Sequence, residues 1–259
     1  MRRFLLTLGT MALCAMILTS AARRESPAES VTLNVFAAAG LSDALNEIAE
    51  LYKSAAPHVT LLINYNSSGV LQNQIENGAE ADVFLSAGPR QLNDLAAGGY
   101  IDNATRKDLL INTVVLIVPK GSSRGISSFE DCLTNKVSLI SFGNASTPLG
   151  QYAEQIFTFL NGWEIVSAKA SRAATVKEVL SQVESGSVDC GIVWATEAAT
   201  SNGVTVVSGV PTGSLPPSIF PGAVLKNSPN AQAALAFFNY LSSPQAVAVF
   251  ERLGFTVVR

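Results

Sequence analysis

The sequence predicts an α/β protein of two lobes, each a mostly parallel sheet flanked by helices. Strand-like and helix-like stretches alternate along the chain at lengths suited to α/β units. A strand, a small or hydroxyl-rich turn and an amphipathic helix recur in that order four times. Two apolar runs, Leu110–Pro119 and Ile219–Leu225, are placed to cross between lobes. The first lobe is then discontinuous, 31–112 and 209–259, and the second, 113–208, is inserted into it.

Residues 1–22 read as a signal peptide: Arg2 and Arg3, an uncharged apolar run from Phe4 to Thr19, and the small residues Ser20-Ala21-Ala22. The run is short for a membrane span, and polar residues 23–30 follow as a tether, which points to cleavage and an extracytoplasmic location. Leu13 before Cys14 does not suit lipidation.

The first unit sets the pattern. Leu33, Val35 and Phe36 are strand formers, and Ala37 to Gly40 leave the backbone open to close approach. Leu41, Ala44, Leu45, Ile48, Ala49 and Tyr52 then fall on one helical face. The second unit is the strand His58–Asn66, the turn Asn66-Ser67-Ser68-Gly69 and a helix through Leu71 and Ile75. Ala81–Ala87 reads as a strand and Gln91–Ala97 as a helix stopped by Gly98-Gly99. "LLINTVVLIVP" reads as one crossing strand, Ile126–Leu133 as a helix beginning near Ser127, and Lys136–Phe142 as a strand. The polar loop Gly143–Gly150 opens a helix over Gln151–Leu160, Trp163 falls in a loop, and Ile165-Val166 begins a strand. Ser171–Thr175 leads into a helix through Val176, Val179, Leu180 and Val183. Val188–Trp194 is a buried strand, Glu197–Ser201 a short helix and Val204–Val207 a strand. Ala231–Leu241 and Pro244–Leu253 are the last helices.

With 48% hydrophobic residues the chain can build a sizeable core, and a net charge of −3 argues against nucleic acid or an anionic membrane surface as partner. Cys132 and Cys190 remain after processing; they either pair or stay as two buried thiols, and no metal spacing is present. Catalysis finds little to work with. His58, the only histidine, reads as a surface residue, and Asp82 and Asp189 read as turn or cap residues at strand entrances. A hydrolase acting on a phosphorylated or sulfated compound is the alternative from another class, and it lacks an evident base. Binding fits better. The four helix-opening loops, near Gly40, Ser68, Leu149 and Thr175, are rich in backbone donors and hydroxyls and nearly free of carboxylate. A fully ionised oxyanion only accepts hydrogen bonds, so converging loops of this kind suit it.

The stretches "VFAAAGLSDAL", "NSSGVLQNQIENGAEADVFLSAG", "LLINTVVLIVPKGS", "STPLGQYAEQI", "VKEVLSQVESGSVDCGIVWATEA" and "YLSSPQAVAVFERLGF" span nearly all of the mature chain. In order and spacing they resemble the periplasmic molybdate-binding proteins of ABC importers. The resemblance implies a type II periplasmic-binding fold, molybdate and tungstate capture between the lobes, delivery to a membrane permease, and no catalysis or cofactor, with a binding protein for another oxyanion as the alternative; a monomer is expected. It places ligand contacts at Gly40, Ser68, Leu149, Val176 and Trp194. Two positions depart from the family: Gly40 stands where it has a serine, and Trp194 where it has a tyrosine. Arg172 and Lys177 flank the fourth loop, either compensating for the lost hydroxyls or serving as solvated helix-end charges.

Overall fold

The structure is a computed structural model that describes residues 30–258. The expected signal peptide and nearly all of the tether lie outside the described residues. Among these, two mixed sheets flanked by helices form the α/β architecture.

The first sheet contains β1 (Val31–Ala38), β2 (Val59–Asn66), β3 (Val83–Leu85) and β4 (Lys107–Asn112), joined late in the chain by β10 (Ser218–Val224) and β11 (Thr256–Val257). The second contains β5 (Val114–Pro119), β6 (Ile140–Gly143), β7 (Ala170–Ala173), β8 (Cys190–Trp194) and β9 (Val204–Gly209). The helices are α1 (Ser42–Ala55), α2 (Ser68–Glu76), α3 (Pro89–Ala97), α4 (Pro148–Phe159), α5 (Trp163–Ser167), α6 (Val176–Glu184), α7 (Ala195–Ala199), α8 (Ala231–Tyr240) and α9 (Pro244–Arg252).

Alternation along β1 shows why the first sheet takes helices on both faces. Leu33, Val35 and Ala37 join one core cluster and Phe36 another. The register Val35↔Val83 and Phe36↔Phe84 carries the same division onto β3. Leu45, Ile48 and Tyr52 of α1 pack on the first face, and Leu71, Ile75, Leu92 and Leu95 of α2 and α3 cover the second. Each fully buried side chain of this size stabilises by roughly 1.5–3 kcal/mol.

The sheets are mixed rather than mostly parallel. β1 pairs in parallel with β2 and β3, and β6 with β7 and β8. The strands nearest the crossings run the other way: β10 against β3 and β4, and β5 against β8 and β9.

Four local expectations change. "LLINTVVLIVP" forms two strands in different sheets, β4 and β5, because Asn112 breaks the run. Its side chain accepts from Thr113 N at 2.8 Å and donates to Thr196 Oγ1 at 2.8 Å. Ile165-Val166 is helical, within α5, where Trp163 is the first residue; Val166 is buried and its N–H bonds back to Gly162, which overrides β-propensity. The segment before Leu133 is only a 3₁₀ turn, Glu130–Leu133, since Asp131 accepts from both the N–H and the hydroxyl of Ser127. β6 begins at Ile140, because Ser138 and Leu139 give their N–H groups to the Asp189 carboxylate.

Candidate functional site

The parallel strands β1, β2, β6 and β7 end facing one region, as expected for ligand sites in α/β sheets. A cavity of about 30 Å³ lies there, lined by residues from both sheets' loops. A single water needs roughly 10–15 Å³ on the same measure, so the space exceeds one water-sized group. All five sequence-predicted residues, Gly40, Ser68, Leu149, Val176 and Trp194, line it.

The caps of their helices decide which backbone donors these loops leave free. Ser67 Oγ accepts from Val70 N at 3.4 Å, Thr147 Oγ1 from Gly150 N at 2.9 Å, and Thr175 Oγ1 from Glu178 N at 3.3 Å. Each cap satisfies the third N–H of its helix and leaves the earlier ones free. At α4 the first helical residue is Pro148, which has no N–H, so Leu149 supplies the remaining free donor. At α6 the free groups are those of Val176 and Lys177. At Ala39–Leu41 a 3₁₀ turn leads into α1, and its first N–H groups are likewise outside the helical ladder.

Ser68 is 1% exposed, and its Oγ accepts from Ala87 N at 3.0 Å. With a lone pair engaged there, the hydroxyl hydrogen is free to donate elsewhere. Trp194 is 2% exposed and is wedged edge-on against Tyr152 and Phe220, with ring centroids 5.8 and 4.9 Å away. The two departures from the expected pattern touch one another: a Cβ on Gly40 would lie 3.4 Å from Trp194 Cδ1 and 3.6 Å from Val176 Cγ1. The indole therefore occupies the space beside the missing side chain.

No Lys, Arg, His, Asp, Glu or Cys lines the cavity. His58 is exposed and borders a different groove. Asp82 accepts from Asn34 N at 2.7 Å and Ser228 Oγ at 2.5 Å, and Asp189 pairs with Arg124 at 2.8 Å, so both are held in structural roles. Arg172 and Lys177 do not compensate in the cavity. Arg172 stacks over Phe142 and Trp163, 5.1 Å from each ring. Lys177 Nζ lies 3.1 Å from Asp43 of α1 and 3.2 Å from Glu197 of α7, the latter off the line of a hydrogen bond. Burial raises the Glu197 carboxyl above the usual range, and Lys177 opposes that shift. Burial would lower the Lys177 ammonium, but Glu197 and Asp43 hold it above its ordinary value.

Lys177 thus joins a helix beside the first sheet to helices beside the second. Further contacts cross the cleft: Gln91 Nε2 donates to Ser146 O at 3.4 Å, and a Cβ on Gly69 would collide with that same carbonyl. Only glycine lets α2 approach the opposite loop so closely. The sequence did not single out Thr147, Pro148, Asn66, Ala87 or Gly143, which also line the cavity. All but Ala87 fall within the two hydroxyl-rich loops 66–69 and 143–150; Ala87 follows β3 and carried no signal of its own.

The arrangement offers neutral donors to a small anion, and each charge-assisted hydrogen bond is worth roughly 1.5–3 kcal/mol. The model of the bacterial extracellular solute-binding protein family matches residues 33–256. The molybdate-binding protein ModA of Escherichia coli is 36% identical over 236 residues, 89% of this chain and 91% of that one. ModA of Haemophilus influenzae is 35% identical over 233 residues, 88% and 91% of the two chains. The periplasmic molybdate-binding protein of Azotobacter vinelandii superposes with a TM-score of 0.76 at 22% identity, covering 88% of this chain and 100% of that one, which shows a shared two-lobed fold. With its matched model spanning nearly all of the described residues, the chain belongs to the bacterial extracellular solute-binding protein family.

Proposed function

We propose that the protein captures molybdate, and tungstate as well, in the cavity between its lobes and delivers the anion to an ABC transporter outside the cytoplasm. One observation carries the reading: capped helix N-termini and the Ser68 hydroxyl surround a small cavity whose lining holds no charge of either sign. A fully ionised tetrahedral oxyanion accepts from every side, and such a lining gives it donors without a competing anion. The molybdate-binding relatives support the choice of ligand. In this reading 31–112 with 209–259 and 113–208 move as two lobes, β4–β5 and residues 210–217 connect them, and the protein works as a monomer without catalysis or a cofactor.

Calorimetric titration of the dialysed protein with molybdate, tungstate and sulfate tests this. The expected result is saturable binding of the first two, weaker binding of sulfate, and recovery of unchanged ligand. Absence of heat with all three anions at millimolar concentration refutes it. A parallel fluorescence titration reads the cavity itself: Trp194 responds to molybdate and Trp163, stacked under Arg172, does not. A response that disappears in Trp163→Phe refutes the placement of Trp194 at the ligand.

A further inference from the structure

Cys132 and Cys190 are both fully buried in the lobe built on the second sheet, with their Sγ atoms 3.9 Å apart. A disulfide needs about 2.05 Å, so roughly 2 Å of approach, shared between two side chains, separates this pair from a bond.

Both partners are held in place. Cys132 lies in the 3₁₀ turn Glu130–Leu133, and Lys169 Nζ fastens the segment after it by donating to the carbonyls of Cys132, Thr134 and Val137 at 3.0, 2.8 and 2.9 Å. Cys190 opens β8, and the preceding Asp189 anchors that entrance through Ser138 N, Leu139 N and Arg124. Neither thiol touches the candidate anion cavity or takes part in its chemistry.

We propose that Cys132 and Cys190 form a disulfide-bonding pair, oxidised while the chain folds and then sealed inside the lobe. The oxidant is a disulfide, of glutathione type or of a thiol–disulfide oxidoreductase. One cysteine thiolate attacks it to give a mixed disulfide and release one thiol. The second cysteine thiolate then displaces the other thiol and forms the Sγ–Sγ bond. Two protons leave the protein thiols, and the two electrons reduce the oxidant to two thiols.

Timing follows from burial. Both thiols are fully buried, so the folded lobe exposes neither to an oxidant, and the neighbouring Cys132 thiol together with desolvation raises the Cys190 thiol above its ordinary range. The pair must react before the lobe closes, and its redox state is then retained. That an oxidising compartment supplies the oxidant rests on the extracytoplasmic reading above; the pairing itself does not.

The test is refolding of the urea-denatured protein in excess oxidised glutathione or in reductant, followed by thiol titration under denaturing conditions and intact mass. In the chain from residue 23, which lacks Cys14, expected are no titratable thiols and a mass lower by two hydrogens after oxidative refolding, against free Cys132 and Cys190 after reductive refolding. The bond closes a 58-residue separation, so the oxidised form melts roughly 10 °C above the reduced form. Cys132→Ser and Cys190→Ser lose that redox dependence. Two free thiols, or two glutathione adducts, after oxidative refolding overturn the proposal, and this readout needs no variant to fold. Protein recovered from its source with both thiols free, although refolding pairs them, supports the pairing and counts against the exported location.

Discussion

In the proposed reading Ser68 has two jobs within one hydroxyl. Its oxygen accepts from Ala87 N, and its hydrogen is left for the cavity. Ser68→Ala should weaken molybdate binding by about 10- to 150-fold, the value of one charge-assisted donor. It should also destabilise the ligand-free protein by about 1–3 kcal/mol, because a buried N–H loses its acceptor. Calorimetry and urea denaturation separate the effects; unchanged affinity in a folded variant shows that the anion does not use this hydroxyl. Gly40 and Trp194 have to be treated together. A side chain added at Gly40 alone meets the indole at 3.4 Å and stands 3.6 Å from Glu197 Oε2, an acceptor that competes for a new hydroxyl. Gly40→Ser should therefore gain little, while Gly40→Ser with Trp194→Tyr should bind molybdate more tightly than the wild type. Titration of both variants decides it, and equal or weaker binding by the double variant shows a cavity built around other contacts.

At the scale of elements, Lys177 links α1 to α6 and α7 across the cleft. In the proposed reading the cavity closes as those elements come together, so Lys177→Met should speed ligand release several-fold and reduce the dependence of affinity on ionic strength. Stopped-flow release at low and high salt measures this; identical rates in the variant and wild type exclude a role in closure. The same change leaves Glu197 buried without its cation. Glu197 has a folded pKa raised above its unfolded value by burial. Its favourable contribution is thus present below the unfolded value of 4.5 and is lost as pH rises through the folded value. Removing Lys177 raises the folded value further, so Lys177→Met should lose stability relative to the wild type as pH rises from 4 toward 7, as denaturation midpoints across that range.

For the whole molecule, ligand binding and stability are linked. An anion that binds the native state and not the unfolded chain adds RT ln(1 + [L]/Kd), about 2.7 kcal/mol at a hundredfold excess over Kd. For a protein of this size that corresponds to a rise in Tm of about 5–10 °C. Molybdate and tungstate should produce it and sulfate should produce less. Superimposable melting curves with and without all three exclude binding in the cavity.

The local signals in the chain were enough for its α/β class and for the loops of the site. Amphipathic spacing from Leu41 to Tyr52 marks α1, and the hydroxyl-rich stretches around Ser67 and Thr175 mark the starts of α2 and α6, because caps and helical faces depend on residues only a few positions apart; α4 begins at Pro148 rather than the expected Gln151, because Thr147 caps it. The residue resemblance carried the five cavity positions, and the structure brings all five together. What no short window contains was decided by tertiary contacts. Asn112 splits an apolar run between two sheets because its partner is Thr196, and Val166 turns helical because a buried site receives it. Lys177 meets Asp43 and Glu197 from distant parts of the chain, and Trp194 fills the space beside Gly40. Each of these depends on surfaces that exist only once the two sheets have formed and packed, so the pattern along the chain determined the donors, and the packing determined which of them face one another.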